Sequence, residues 1–263
     1  MKSSSCRLSV NVNKIATLRN SRGGDVPNLR QYTNDIIRYG AQGITVHPRP
    51  DERHIRRDDV YTLNQLIKKI NSSRKKKIEF NIEGYPSKSF LKLVATIRPD
   101  QVTLVPDPPD VLTSNAGWQV AKNEKLLARV LKFFRQKKIR SSLFIDVLTI
   151  NSLDLAALSR LQPDRVELYT ERFAKDYVTK SRHKTTMIYK KTSQKIYALG
   201  IDINAGHDLN LQNIRFLLQS IPEIKECSIG HALIAESLYL GLKATIKNYL
   251  SQMRRMRHAK LDQ

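Results

Sequence analysis

Histidines and carboxylates follow several short β-rich runs in this 263-residue chain. His47 follows GITV, His207 follows INAG, and His231 follows SIG, while Glu83 ends the run KIEFNIE. Imidazole and carboxylate side chains can take up and release protons near neutral pH when burial adjusts their pKa values. A single histidine at a strand end often only satisfies a backbone hydrogen bond. Three of them at equivalent positions instead predict a site for stepwise proton transfer.

Cationic residues are concentrated after the first two β-rich runs. They are Lys14, Arg19, Arg22, Arg49 and Arg53. Two glycines follow Arg22 and allow the backbone to approach a ligand closely. A further pair, Gly230-His231, precedes the last helical stretch, whose first backbone amides can bind an anion. These features predict a ligand, or two ligands, carrying two phosphate groups.

The same residues argue against a metal site. His47 and His54 lack the helical i, i+4 spacing of a metal-binding pair, and no H-E-x-x-H motif or Asp-rich loop occurs. The chain has two cysteines, Cys6 and Cys227, which are too few for a disulfide framework or a cysteine-based zinc site. We expect no bound metal and a reducing environment.

Eight β-rich runs alternate with stretches of helical periodicity. The runs are LSVNV (8–12), GITVH (43–47), KIEFNIE (77–83), QVTLV (101–105), SSLFID (141–146), RVELY (165–169), GIDIN (200–204) and ECSIG (226–230). Stretches of helical periodicity follow the runs, and examples are 60–70, 89–97, 123–134, 153–161, 213–221 and 232–250. Eight such repeats in about 250 residues predict an α/β fold, a (β/α)₈ or TIM barrel.

A barrel of this kind would be a single domain over residues 1–263, with 1–7 and 252–263 as flexible tails. An open doubly wound sheet is the alternative, but its G-x-G-x-x-G turn is missing after the first run. Barrel enzymes carry their reacting groups at the C-terminal strand ends, so the polar residues named above should meet there. Three long connections, 13–27, 106–117 and 170–187, should lie on that face, the second as a lid.

Composition limits the possible partners. The chain has 46 Lys and Arg against 24 Asp and Glu, a net charge of +22, and 40% hydrophobic residues. It contains neither an apolar run long enough to cross a membrane nor a signal-peptide segment, so we expect a cytoplasmic protein. The basic residues fall into scattered clusters with no nucleic-acid motif, and we expect no specific nucleic-acid binding.

Six segments in order resemble the pyridoxine 5′-phosphate synthase (PdxJ) family. They are VNVNKIATLRNSRGG, GAQGITVHPRPDERHI, FNIEGYP, SLFID, INAGHDLN and SIGHALIAESL. The similarity extends from about residue 8 to 245. It implies a cytoplasmic homo-octamer without metal or organic cofactor. The implied reaction condenses 3-amino-2-oxopropyl phosphate with 1-deoxy-D-xylulose 5-phosphate to pyridoxine 5′-phosphate, phosphate and water.

The resemblance also implies roles for individual residues. His47 and Glu83 match the two proton acceptors and His207 the proton donor. Glu79 competes with Glu83 for its role, but an ungapped match of NIEGYPSKSFL selects Glu83. The remaining positions match substrate-binding residues. Arg49, His54 and Thr113 match contacts to the deoxyxylulose phosphate, and Asn11, Arg22, Gly230 and His231 match contacts to the aminoketone phosphate.

Two positions depart from the family pattern. Asn13-Lys14 replaces the commoner Asp-His, so these two residues are interpreted as binding residues only, without a proton-transfer role. Asp208 replaces a glycine found in many relatives. A backbone contact to substrate would tolerate this side chain if the φ angle stays negative.

Other phosphate-binding barrels, such as an isomerase or an imine-forming aldolase, remain the alternative enzymes because a fold does not determine a reaction. An imine-forming aldolase needs a lysine at a strand end, and Lys14 is the candidate. A basic nucleic-acid-binding module is the non-enzymatic alternative.

Overall fold

The computed structural model describes residues 6–106 and 116–254, where eight parallel strands close into a barrel. The strands are β1 (Arg7–Asn11), β2 (Gly43–Val46), β3 (Glu79–Gly84), β4 (Gln101–Leu104), β5 (Arg140–Ile145), β6 (Arg165–Tyr169), β7 (Asp202–Gly206) and β8 (Ile224–Ile229). Each strand pairs with the next along the chain, and β8 pairs with β1. The predicted (β/α)₈ barrel is confirmed, and every predicted run overlaps one strand.

Eleven helices surround the barrel in the described part of the chain. They are α1 (Asn13–Asn20), α2 (Leu29–Tyr39), α3 (Arg57–Ser72), α4 (Lys88–Ile97), α5 (Glu124–Lys137), α6 (Ser152–Leu161), α7 (Glu171–Tyr177), α8 (Arg182–Ala198), α9 (Ile214–Ser220), α10 (His231–Leu240) and α11 (Leu242–Gln252). Two predictions are corrected. The connections 13–27 and 170–187 are largely helical, and the helix predicted over 232–250 is broken at Gly241, whose φ of 74° is readily adopted by glycine.

Alternation along the strands separates an apolar layer from a polar barrel interior. In β6, Val166 and Leu168 join the main hydrophobic core between sheet and helices. Glu167, between them, instead points to the barrel axis, where Thr103 Oγ1 lies 3.5 Å from its Oε2. Thr45, Asn81, Thr103 and Asn204 are also buried polar residues of the strands. The barrel interior therefore carries hydrogen-bonding groups down its length, and the helices cover its outside with aliphatic side chains.

Three predictions concern the edges of the described region. Thr113 and most of the predicted lid lie outside it, as do most residues of the predicted tails. At the tail boundaries, Cys6 is buried and Arg7 begins β1, while Gln252 ends α11. Among the described residues, no helix has the length and apolar character needed to cross a membrane.

Candidate active site

A cavity of about 720 Å³ opens at the C-terminal ends of the strands. It is lined by eleven of the predicted site residues: Asn11, Asn13, Lys14, His47, Arg49, His54, Glu83, His207, Asp208, Gly230 and His231. These residues come from β1, β2, β3, β7, β8 and the segments that follow them. The parallel arrangement brings them together because all eight strands end at the same face.

His47 and Glu83 form a pair of acid–base groups in this cavity. His47 Nδ1 lies 3.8 Å from Glu83 Oε2, and both side chains are almost completely buried. Burial, followed by the charge of Arg49, holds the pKa of His47 well below its usual value of 6.5. The imidazole is therefore neutral near pH 7 and able to accept a proton.

Asn11 and Asn13 position this pair from β1 and the start of α1. Asn11 Nδ2 donates to Glu83 Oε2 over 3.4 Å, and Asn13 Oδ1 accepts from the backbone N–H of His47 at 3.0 Å. An aspartate at position 13 could accept the same bond, so the amide keeps the contact without the charge. The two residues predicted to bind substrate therefore also make protein contacts that orient His47 and Glu83.

Arg49 and Lys14 form a cationic side of the cavity, and the imidazole of His54 lies among the residues that line it. The Nδ1 atom of His54 accepts a hydrogen bond from the backbone N–H of Ile55 at 2.8 Å. Burial, Arg49 and Lys14 lower the pKa of His54 to about 4. With Nδ1 accepting, the neutral ring can donate from Nε2, a geometry suited to a phosphate or hydroxyl oxygen.

His207 lies across the cavity on an unusual backbone segment. The φ angles of His207 and Asp208 are 74° and 56°, in the left-handed region that favours glycine. The condition of a negative φ at Asp208 is therefore not met. Aspartate is among the non-glycine residues that adopt this conformation more readily, because its short polar side chain can bond locally.

The start of α10 completes the cavity beside β1. Gly230, His231 and Ala232 all line it. A Cβ on Gly230 would lie 3.2 Å from the Cβ of Asn11, so a larger residue would crowd the side chain that contacts Glu83. No side-chain hydrogen bond caps the start of α10, where the Gly230-His231 pair is predicted to bind an anion.

Glu167 is a buried carboxyl in the cavity that the sequence interpretation missed. Burial, then the nearby charges of Glu83 and Glu226, raise its pKa well above 4.5. A Cβ on Gly206 would lie 2.2 Å from Glu167 Oε1, so the neighbouring strand needs a glycine there. The alternation of Arg165, Glu167 and Tyr169 with two aliphatic residues in RVELY was the available signal.

Two predicted cationic contacts, Arg22 and Arg19, are not among the described residues that line the cavity. Arg22 is exposed after α1. Arg19 is buried, and its guanidinium binds both carboxylate oxygens of Asp59 at 2.6 and 2.8 Å. It therefore anchors α1 to α3 and is not available to a phosphate. Thr113 falls outside the described residues.

A second, smaller space of about 320 Å³ adjoins the first. The two share His47 and Arg49, and the smaller one extends between Arg57 and the start of α4. Within residues 6–106 and 116–254, no group of three or more His, Cys, Asp or Glu side chains is placed to hold a metal ion. The arrangement can move protons between imidazoles and carboxyls beside cationic groups that suit phosphate.

Solved structures share the fold at low sequence identity. A tryptophan synthase structure from M. tuberculosis superposes with a TM-score of 0.64 at 14% identity, covering 97% of this chain and 94% of that one. A phosphoribosylanthranilate isomerase from Thermotoga maritima gives a TM-score of 0.51 at 12% identity, covering 94% of this chain and 99% of that one. These similarities concern the barrel alone.

Sequence comparison identifies much closer relatives. A pyridoxine 5′-phosphate synthase from Porphyromonas gingivalis is 53% identical over 247 residues, which are 94% of this chain and 98% of the relative. The enzyme of the same name from Flavobacterium johnsoniae is 47% identical over 249 residues, 94% of this chain and 99% of the relative. The model of the family described as pyridoxal phosphate biosynthesis protein PdxJ matches residues 8–255. The chain therefore belongs to the PdxJ family.

Proposed function

We propose that the chain is a pyridoxine 5′-phosphate synthase. It would condense 3-amino-2-oxopropyl phosphate with 1-deoxy-D-xylulose 5-phosphate, giving pyridoxine 5′-phosphate, inorganic phosphate and water. The observation that carries the proposal is the common cavity: His47, Glu83 and His207, far apart in sequence, all line it together with Arg49 and Lys14. The relatives named pyridoxine 5′-phosphate synthase match this chain over almost its whole length.

The reaction requires repeated proton transfer. The amine of the aminoketone attacks the ketone of the deoxyxylulose phosphate, and loss of water gives an imine. Removal of a proton next to that imine gives an enamine, which expels its allylic hydroxyl as water and then, after a further proton shift, expels phosphate. Addition of water, carbon–carbon ring closure and dehydration then lead to the aromatic ring. Several steps need a base, and each loss of water needs an acid.

The three groups suit these tasks by position and environment. His47 and Glu83, 3.8 Å apart, would serve as the proton acceptors, and the neutral state of His47 fits this role. His207, on the β7 side of the same cavity, would donate the proton to a leaving oxygen. Alternating protonation would let one set of groups act in successive steps.

Cationic and backbone groups at the rim would hold the two phosphates. Arg49 and His54 would bind that of deoxyxylulose phosphate, with Thr113 contributing from the segment after β4. Asn11, Gly230 and His231 would bind that of the aminoketone, assisted by Asn13, Lys14 and Asp208, and by Arg22 if its exposed loop approaches the cavity. No resident metal or organic cofactor takes part in this scheme.

The proposal extends to assembly and location. The chain would form a homo-octamer in the cytoplasm, would act on small phosphorylated molecules, and would bind neither a specific nucleic acid nor a membrane. Its support is the family resemblance. Sedimentation velocity on the purified protein measures the assembly directly, and a monomer would contradict it.

The decisive experiment incubates the purified protein with both phosphorylated substrates. The expected result is pyridoxine 5′-phosphate, followed by its absorbance and by mass, with one inorganic phosphate released per product. Omission of either substrate should stop both signals. Borohydride reduction in the presence of a ketose phosphate tests the aldolase alternative, because an imine to Lys14 would leave a covalent adduct on the protein. Such an adduct without pyridoxine 5′-phosphate would contradict the proposal.

A further inference from the structure

The segment Tyr169–Glu171 surrounds the imidazole and the backbone of His207. These three residues end β6 and begin α7, next to the end of β7 where His207 lies. Each of the three interacts with His207 in a different way: one by ring packing, one by hydrogen bonding and one by charge. We call residues 169–171 the strand-six segment.

Tyr169 packs its ring against the imidazole. The two rings meet edge to face, with centroids 5.2 Å apart and an interplanar angle of 87°. Phe144 of β5 contacts both of them, at 5.0 Å from the imidazole centroid and 5.3 Å from the Tyr169 centroid. Two aromatic walls therefore restrict the orientations open to the His207 ring.

Thr170 holds the backbone that carries the imidazole. Its hydroxyl Oγ1 lies 2.5 Å from the carbonyl oxygens of both Gly206 and His207, to which it donates. Its backbone N–H also donates to the Gly206 carbonyl at 3.0 Å. The φ of 74° at His207 is costly for a residue with a Cβ, so these bonds stabilise a conformation that the chain would otherwise leave.

Glu171 lines the same cavity as His207, and the two side chains interact through their charges. Its carboxylate accepts a hydrogen bond from the Tyr169 hydroxyl and lies 2.5 Å from Lys175 Nζ. Lys175, Tyr169 and the charge of His207 lower the pKa of Glu171, so it is ionised at neutral pH. Burial and this carboxylate raise the pKa of Tyr169, which keeps its proton and remains the donor.

We propose that the strand-six segment positions His207 and favours its protonated form, so that the imidazole can act as an acid. The inference rests on the proposed function, which assigns proton donation to His207. Tyr169, Thr170 and Glu171 would act through His207 and are positioning residues. The attraction between Glu171 and an imidazolium is reciprocal: a carboxylate that is stabilised by the cation stabilises the cation equally.

Other charged groups also face His207. From β2, His47 interacts with it electrostatically, and Asp208 is its neighbour in sequence. Glu83 of β3 and Glu167 of β6 line the same cavity, and Asp146, after β5, acts on Tyr169. A pH effect must therefore be measured as a difference between variants that leave these groups unchanged.

The first test separates charge from structure with Glu171→Gln. The amide can still accept from Tyr169 but carries no charge, so the imidazolium loses a favourable neighbour. An acid must be protonated to act, so we expect the alkaline limb of the kcat profile to move to lower pH by about half a unit or more. KM for both substrates should stay within about twofold. Glu124→Gln, on the outer helix α5, is the matched control and should leave the profile unchanged.

The second test removes the hydroxyl that holds the backbone. Thr170→Val keeps the shape of the side chain and should lower kcat about tenfold or more, because a small misplacement of a reacting group is costly. Thr170→Ser retains the hydroxyl and should restore most of the loss. If Thr170 had a purely structural role, both variants would lose thermal stability, and Thr170→Ser would not selectively restore kcat.

A direct titration completes the design. The His207 imidazole is followed by ¹H–¹⁵N NMR, assigned by its disappearance in His207→Asn. The midpoint should fall in Glu171→Gln and stay constant in Glu124→Gln. Unchanged midpoint and unchanged kcat profile would overturn the inference, while product formation by the parent chain would leave the proposed function intact. Absence of product from the folded parent would instead reject the proposed function, and the titration would still decide whether Glu171 favours the imidazolium.

Discussion

The two ends of the barrel interior use the same residue types in opposite ways, and two glutamates of β3 illustrate the contrast. At the N-terminal end, Glu79 contacts Arg7 and Arg140, and Arg165 Nη1 lies 3.9 Å away. Four residues later, Glu83 lies 3.8 Å from an imidazole nitrogen and 3.4 Å from an amide nitrogen. One carboxylate belongs to a cluster of arginines, and the other lines an open cavity.

The choice of partner accounts for the difference. Arginine keeps its charge at every accessible pH, so the cationic partners of Glu79 do not exchange protons near neutrality. Imidazole changes its charge near neutrality, so the upper end can exchange protons with a ligand. The cations therefore divide this polar barrel interior into a structural end and a chemical end.

Glu83→Gln gives the largest expected effect and attacks the chemical end. The amide retains the size and can still accept from Asn11, but it cannot take up a proton. We expect kcat to fall by about 10² to 10⁴, with KM changed by less than about threefold. Steady-state kinetics measure kcat and KM, and a thermal melt checks that the variant is folded. Turnover at the parent rate would contradict the role proposed for Glu83.

Glu79→Gln tests the structural end with the same chemical change. It leaves the Arg7 and Arg140 guanidinium groups without their carboxylate, and we expect unfolding to become easier by about 2 kcal/mol. The kcat of the folded protein should change little. Urea unfolding measures the free energy of unfolding, and the synthase assay measures kcat. Glu124→Gln removes an exposed partner of Arg160 and serves as the control with little effect. A large fall in kcat with unchanged stability would contradict a structural role for Glu79.

His54→Asn tests how the buried imidazole of His54 makes the folding stability depend on pH. Unfolded, His54 takes up a proton as the pH falls through about 6.5, whereas the folded protein resists until about 4. The parent should therefore lose stability between these values on acidification. The variant should lose about 1 to 2 kcal/mol less between pH 6.5 and pH 5. Denaturant unfolding at both pH values measures this difference. His183→Asn, at an exposed histidine, should follow the parent.

Glu167→Gln tests a second carboxyl of the chemical end through the pH dependence of stability. Because burial raises the pKa of Glu167, its folded form holds a proton that the unfolded chain releases above about pH 4.5. Parent stability therefore decreases as the pH rises through that range, and the amide removes this dependence. Parent and variant should match near pH 4.5, and the variant should be the more stable at pH 8. Destabilisation of the variant at pH 8 would indicate an ionised, paired carboxylate.

Most of the barrel was predictable because strand and helix periodicities are local properties. The helices α1 and α7 were missed because their short sequences, NKIATLRN and ERFAKDY, show little amphipathic periodicity. Gly241 divides the predicted helix 232–250, since its positive φ interrupts the helical path. Arg19 was assigned to a phosphate, but its spatial neighbour Asp59, forty residues away, could not be identified from local sequence.

The histidines and the carboxylate at the strand ends, the excess of cations and the family motifs were determined by the sequence alone. Tertiary structure alone decided which polar residues lie close together. Their proximity depends on barrel closure between β1 and β8 and on the register of every strand pair. Tertiary structure separated Glu79 from Glu83, brought Glu167 into the cavity, and surrounded His207 with the strand-six segment. Residue type sets what chemistry a side chain can perform, whereas its neighbours in space set its charge and orientation.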